Sequence, residues 1–133
     1  MESAMTTSDS ISIVDDDPSV REGLTDLLNS MGFATQTFRC AEDFLASDRI
    51  DRTACLITDG CMTGMSGFEL YQHLLTCGKR MPTILITAFA NHADRARALQ
   101  AGMYCYLPKP FNERELLACL RCALAFHRIA GAP

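Results

Sequence analysis

Five short apolar runs alternate along this chain with five longer segments whose apolar residues tend to recur every three or four positions. The most informative run lies within residues 54–67, ACLITDGCMTGMSG, where the apolar stretch stops on Asp59 and passes into a loop punctuated by Gly60, Gly64 and Gly67. A run of four to eight apolar residues bounded by turn signals reads as a strand buried on both faces, and such strands belong to parallel sheets covered by helices.

Taken in order, Ile11, Ile13 and Val14 predict a first strand that ends in Asp15, Asp16 and Asp17. Pro18 suits the first position of a helix, which makes Asp17 its N-cap. Val20, Leu24, Leu27, Leu28 and Met31 follow at helical spacing, and Gly32 closes the helix. Residues 33–38 alternate as a second strand, and residues 41–47 form a short helix carrying Phe44 and Leu45. The third strand, 55–58, delivers Asp59; Phe68, Tyr71, Leu74 and Leu75 stripe the next helix, which Gly78 terminates. Residues 83–86 form a fourth strand delivering Thr87. The helix over 93–101 has only Leu99 as a large apolar anchor and should be loosely held. Residues 103–107 form an edge strand, since Pro108 cannot donate to a ladder, and that strand delivers Lys109. Asn112 and Glu115 have capping-box spacing before a last helix striped by Leu116, Leu117, Leu120 and Leu124.

Five strands alternating with five helices predict a doubly wound α/β fold, a five-stranded parallel sheet in the flavodoxin-like order 2-1-3-4-5. The ligand crevice of such a sheet lies at the carboxyl ends of the strands, where the winding reverses between the first and third. That order brings Asp15, Asp16 and Asp59 to one crevice, with Thr87 and Lys109 on the same edge.

The bulk numbers narrow the partners. With 133 residues the chain is one domain, expected over 10–129, between a disordered tail at 1–9 and a tail or linker start at 130–133. Its 12 Lys plus Arg against 16 Asp plus Glu argue against nucleic-acid binding by this segment itself. No stretch has the apolar length of a membrane span, and the first nine residues lack the character of a signal peptide, so a cytoplasmic protein is expected. Seven cysteines without a paired framework read as reduced thiols. The Cys119–Cys122 pair has no second pair to make a zinc site, and His73, His92 and His127 read as isolated polar-face residues.

Three carboxylates about 5 Å apart repel each other by about 3 kcal/mol per pair at an effective dielectric near 20. A divalent cation relieves this, and an all-oxygen donor set with room for water suits Mg²⁺ or Mn²⁺. A carboxylate can also act as nucleophile toward a phosphoryl donor. Asp59 is then the phosphoacceptor, Lys109 neutralises one phosphoryl oxygen and the Thr87 hydroxyl donates to another. The three glycines after Asp59 are explained by turn geometry, and no GxGxxG is present.

These residues resemble the receiver domains of two-component response regulators, over about residues 10–129. Val14 to Asp17 resembles the acidic cluster of that family, with Asp15 and Asp16 at the metal-binding acids. Leu56-Ile57-Thr58-Asp59 resembles the phosphoacceptor strand, and Cys61 stands where a backbone carbonyl binds the metal. Ile86-Thr87-Ala88 carries the switch hydroxyl. Tyr106-Leu107-Pro108-Lys109-Pro110-Phe111 carries the switch aromatic, the lysine and a Lys-Pro bond that the resemblance implies to be cis. The loop MSGFEL and the last strand look similar to receivers of the nitrogen-fixation regulator type, which precede a helix-turn-helix output domain.

The resemblance implies a sensor histidine kinase as partner, an output domain or partner protein, and a phosphorylation-dependent homodimer as one form of readout. Thr87 drawn to the phosphoryl group is expected to vacate space into which Tyr106 turns, changing the face built from the fourth helix, fifth strand and fifth helix. Two departures stand out: Thr63 where proline is usual, which loosens the loop after Asp59, and Tyr104, expected to enlarge the aromatic patch around Tyr106. The alternative from another class is a constitutive interaction module with the same fold and no use of phosphate. A metal-dependent hydrolase is a more distant third.

Overall fold

The fold is that of a computed structural model, which describes residues 10–130, and of residues 126–130 the backbone alone. The tail expected over 1–9, the residues from 131 onward and the His127 side chain lie outside the described residues. Strands β1 (Ser10–Val14), β2 (Thr35–Phe38), β3 (Thr53–Asp59), β4 (Thr83–Thr87) and β5 (Cys105–Pro108) alternate with helices α1 (Pro18–Ser30), α2 (Ala41–Ala46), α3 (Gly67–Thr76), α4 (His92–Ala101) and α5 (Glu113–Ala130). The strands form one sheet in the order β2-β1-β3-β4-β5, and every neighbouring pair is parallel. This is the doubly wound sheet that the alternation of patterns predicts.

Because side chains alternate across a strand, a strand apolar on both faces feeds two cores. Ile11, Ile13, Cys55, Ile57, Ile84, Ile86 and Leu107 point to one face, where Leu24 and Leu28 of α1 and Leu116, Leu120 and Ala123 of α5 cover them. On the other face Val14 and Leu56 meet Phe44 of α2 and Leu70 and Leu74 of α3. A third cluster joins Leu85 and Tyr106 to Tyr71 of α3, Ala98 of α4 and Met103. β3 is buried along all seven residues, as a central strand requires.

The helix ends follow from local chemistry. The Asp17 carboxylate accepts the Ser19 amide at 2.9 Å with Pro18 in the first turn, and Gly32 takes a positive φ of 91° after α1. Asn112 accepts the Glu115 amide at 3.0 Å. Ser66 and Glu69 form a reciprocal capping box on α3.

Several expectations are corrected. β3 begins earlier, at Thr53, because Thr53 pairs its hydroxyl with buried Ser12 at 2.7 Å and gives its polar group a partner inside the sheet. β2 begins only at Thr35, and Met103 lies before β5 rather than in it. Met31 is 43% exposed because it is the capping residue beyond the last turn of α1. On α4 the expected anchor Leu99 is 38% exposed, and Ala98 is the buried residue at 1%. Space explains the exchange: next to this contact a Cβ on Gly102 would lie 2.6 Å from the Tyr71 hydroxyl, so α4 approaches α3 closely enough to favour a small residue.

Candidate functional site

Strand register sets the positions of the chemistry. Val14 pairs with Thr58, so the next residues, Asp15 and Asp59, leave adjacent strands side by side. Thr87 pairs with Pro108, which puts Lys109 one step beyond on the same edge of the sheet. Asp15 and Asp59 are buried and Asp16 is exposed, and each of the three offers a carboxylate oxygen within 4.8 Å of the others. Lys109 reaches into this cluster, its ammonium 3.0 Å from Asp15 Oδ2 and 3.3 Å from Asp59 Oδ1. The preceding backbone positions it: the Lys109 amide donates to the Thr87 carbonyl at 2.8 Å, and the Lys109–Pro110 bond is cis.

The acids are not equivalent. Asp15 is held from three sides, since its Oδ1 accepts the Asp17 amide at 2.9 Å, its Oδ2 accepts from Lys109, and its carbonyl accepts from the Arg21 guanidinium at 2.7 Å. Asp59 has the Cys61 amide at 3.4 Å besides Lys109. Burial, then the charge of Asp15, raises the Asp59 carboxyl above its ordinary pKa, against the opposing pull of Lys109. Burial alone would lower the Lys109 ammonium, but its hydrogen bond to Asp15 and the charges of Asp15 and Asp59 leave it raised. The Asp59 carboxylate thus has few hydrogen-bond donors of its own and sits beside a cation that can balance further negative charge.

The loop after Asp59 turns back on its own start. The Gly67 amide faces the Gly60 carbonyl at 3.4 Å, and a Cβ on Gly67 would stand 2.2 Å from the Asp59 carbonyl oxygen, so only glycine lets α3 begin there. Gly60 is packed under Leu85 and Thr87, at 2.9 and 3.0 Å from where its Cβ would be.

A path of hydrogen bonds leads away from the crevice. The Phe89 amide donates to the Thr87 hydroxyl at 3.1 Å, the Asn91 side-chain amide donates to the Phe89 carbonyl at 3.2 Å, and the Asn91 backbone amide meets the Tyr106 hydroxyl at 3.4 Å. Arg95 of α4 donates to the Tyr106 carbonyl at 3.3 Å. Tyr106 is 6% exposed and is turned in against α3 and α4. Its hydroxyl finds the first amide of the α4 cap as partner, so burial leaves no polar group stranded. Tyr104 does not join it: it packs against the α5 side of the sheet, beside Cys105, Cys119 and Cys122, whereas Tyr106 faces α3 and α4.

Residues outside the crevice complete the account. Arg21 and the loop contact of Glu42 to the Met65 amide, at 3.2 Å, were not readable as site neighbours from the sequence. His73 is not isolated, since its Nε2 lies 3.7 Å from the Cys77 thiol one turn on, a spacing visible as H-x-x-x-C. Among the described residues the acidic trio is the one group of three or more metal-ligating side chains. All seven cysteines are free thiols, and burial, then the Cys119 thiol, pushes Cys105 up to about 12.

Comparison with known proteins places this geometry. The family model described as the response regulator receiver domain matches residues 11–121. The transcriptional regulatory protein TdiR of Thauera aromatica is 37% identical over 116 residues, covering 87% of this chain and 51% of that protein. The transcriptional regulatory protein FixJ of Azorhizobium caulinodans is 36% identical over 115 residues, 86% of this chain and 54% of that protein. The chain thus spans about half the length of these curated relatives. Among solved structures, the response regulator StyR superposes with a TM-score of 0.86 at 41% identity over 92% of this chain and 62% of that one. FixJ-N superposes with a TM-score of 0.79 at 31% identity, over 88% of this chain and 94% of that one. No described helix is long and apolar enough to cross a membrane. The winding, the strand-end acids and the lysine beside them therefore have one common explanation: the chain belongs to the receiver domains of two-component response regulators.

Proposed function

We propose that this chain works in the cytoplasm, where Asp59 accepts a phosphoryl group from a sensor histidine kinase, and that this alters the face formed by α4, β5 and α5 to control an output domain or partner protein. The observation that carries the proposal is the buried Asp59 carboxylate, 3.3 Å from Lys109 and within 4.8 Å of Asp15 and Asp16 at the sheet's switch point. In the transfer an Asp59 oxygen bonds to phosphorus while the bond to the kinase histidine nitrogen breaks. The electron pair stays on that nitrogen, and an acyl phosphate remains on Asp59.

The donor set fits a hard divalent ion: three converging carboxylates, with the Cys61 carbonyl as a further oxygen, would hold Mg²⁺ or Mn²⁺. When bound, the ion supplies charge neutralisation between the acids and the phosphoryl oxygens. Lys109 orients Asp59 and balances added negative charge, and Asp15, fixed by Arg21 and the Asp17 amide, keeps Lys109 in place.

Signal transfer uses the path already described. A Thr87 hydroxyl recruited to the phosphoryl group gives up the Phe89 amide, and the β4–α4 loop, with the Asn91 cap and Tyr106 attached to it, must readjust. Residues 10–129 act as the receiver unit, and a phosphorylation-dependent homodimer through the α4–β5–α5 face is one form of readout. Incubation with acetyl phosphate and Mg²⁺ followed by intact mass measurement tests the chemistry. The parent should gain one phosphoryl group and Asp59→Asn none; labelling of neither would favour a constitutive module, and equal labelling of both would put the phosphoryl group on a residue other than Asp59.

A further inference from the structure

The loop from Gly60 to Ser66 leaves Asp59, carries the Cys61 amide back to the Asp59 carboxylate, and returns at Gly67 against the Asp59 carbonyl. Its two ends are thus tied to the crevice or to α3, where Ser66 and Glu69 cap each other. The stretch between them contains Thr63, exposed, and Gly64 at a φ of +84°, neither of which stiffens a chain. Among the described residues one hydrogen bond from another element reaches this stretch: the Glu42 carboxylate of α2 accepts the Met65 amide at 3.2 Å, and the same oxygen lies 3.0 Å from where a Cβ on Gly64 would be.

We infer that Glu42 is a positioning residue for Asp59 chemistry, a latch that holds the loop after the phosphoacceptor at Gly64 and Met65. The inference rests on the phosphoacceptor reading for its consequence, and on the contacts alone for its geometry. Three observations agree. A Cβ on Gly64 would press on the latch oxygen at 3.0 Å, tighter than an ordinary contact, so the loop backbone passes close to the carboxylate. The Glu42 carboxyl is held below its ordinary pKa by its own backbone amide and then by the Met65 amide, as expected of an acceptor oriented by two donors. The Met62 and Met65 side chains pack on the same cluster as Phe44, so the latch and the apolar contacts of the loop both lead to α2.

The consequence reaches the site through the backbone. Cys61 lies between Asp59 and the latched segment, so slack at Met65 becomes positional spread of the Cys61 amide on Asp59 and of the carbonyl that would meet a metal. Loops lacking proline lose more entropy on ordering, and a cross-element hydrogen bond is one way to offset that; a proline at 63 would be another.

The test is a cycle of Glu42→Ala, Thr63→Pro and the double variant, with Glu42→Gln as the conservative form, since its amide oxygen can still accept the Met65 proton. Exchange of the Met65 amide is read first, without phosphoryl donor: Glu42→Ala should speed it about three- to tenfold, and Glu42→Gln should restore most of the protection. Mg²⁺ affinity and the rate of labelling by acetyl phosphate are then read on the folded proteins, and Glu42→Ala should lower both by a similar factor in the Thr63 background and by less in the Thr63→Pro background. Equal Met65 exchange in Glu42→Ala and parent overturns the latch, whether or not the parent takes phosphate. Faster exchange with unchanged Mg²⁺ affinity and labelling, in a parent that does take phosphate, overturns the positioning role. A parent that is never labelled speaks against the phosphoacceptor reading and leaves the exchange and Mg²⁺ results to decide on Glu42.

Discussion

Asp59 ends a seven-residue strand buried along its whole length, whereas Tyr106 sits in a four-residue edge strand whose covering helix, α4, buries a single alanine. The two regions are held by different physics. Around Asp59 the backbone is fixed by a central sheet and the tension is electrostatic, three acids against one lysine. Around Tyr106 little apolar area is buried by α4, and position depends on single polar contacts: the Asn91 amide on the hydroxyl, Arg95 on the carbonyl, and Arg97 over the Phe68 ring. A chemical site benefits from being over-determined, and a readout element benefits from being cheap to shift.

Lys109→Ala removes the one ammonium that meets both Asp15 and Asp59, leaving two buried like charges uncompensated. Metal-free, the variant should lose about 3 kcal/mol of stability, the cost typical of breaking a buried pair from one side. Urea unfolding in EDTA reads this, and added Mg²⁺ should recover part of the loss. A midpoint unchanged from the parent would mean that the acids do not depend on Lys109.

Asp59→Asn should act in the opposite direction and less strongly. The raised Asp59 pKa means that ionisation costs the folded state, so its contribution is favourable below the ordinary carboxylate range and is lost as pH rises through the elevated value. At neutral pH the variant should therefore be more stable than the parent, on the order of 1 kcal/mol, because it removes one of the like charges. The gap should close as pH falls through that window. A gap that instead widened in acid would show that the lysine, and not the neighbouring acid and burial, dominates at Asp59.

These two regions also differ in how far they could be read from sequence. Asp15, Asp59, Thr87 and Lys109 were legible because each follows directly on an apolar run, and the sheet order alone then carries strand ends to one edge. The Ser66–Glu69 cap is equally legible, as S-x-x-E. Arg21 and Glu42 were not, since their contacts to Asp15 and Met65 depend on where a loop or helix end passes, which no periodicity encodes. The α4 region is less legible for the same reason. Hydropathy favours Leu99 as anchor, but the close passage of Gly102 by Tyr71 leaves the contact to Ala98. Tyr104 and Tyr106, two apart, would share a face only if the strand began before Tyr104; it begins at Cys105, and the rings part to opposite sides.

Arg97 lies 4.4 Å from the Phe68 ring centroid and 4.0 Å from Asp94, on a side chain that is largely exposed. Removing it in Arg97→Ala should cost about 0.5 kcal/mol, typical of an exposed cation–π contact and hard to resolve in a global melt. Alanine is also the better helix former, so intrinsic propensity will not add to the loss. If α4 opens separately from the sheet, however, that small cost falls entirely on the local opening equilibrium, and amide exchange over residues 95–102 should quicken about twofold while β1 and β3 stay unchanged. Equal quickening in β3 would mean that α4 and the central sheet open as one unit, and the division into a fixed chemical site and a loosely held readout element would have to be given up. Unchanged exchange in α4 would place its hold elsewhere, on Arg95 and Asn91, and the same measurement on Arg95→Ala would then decide which contact keeps the helix against β5.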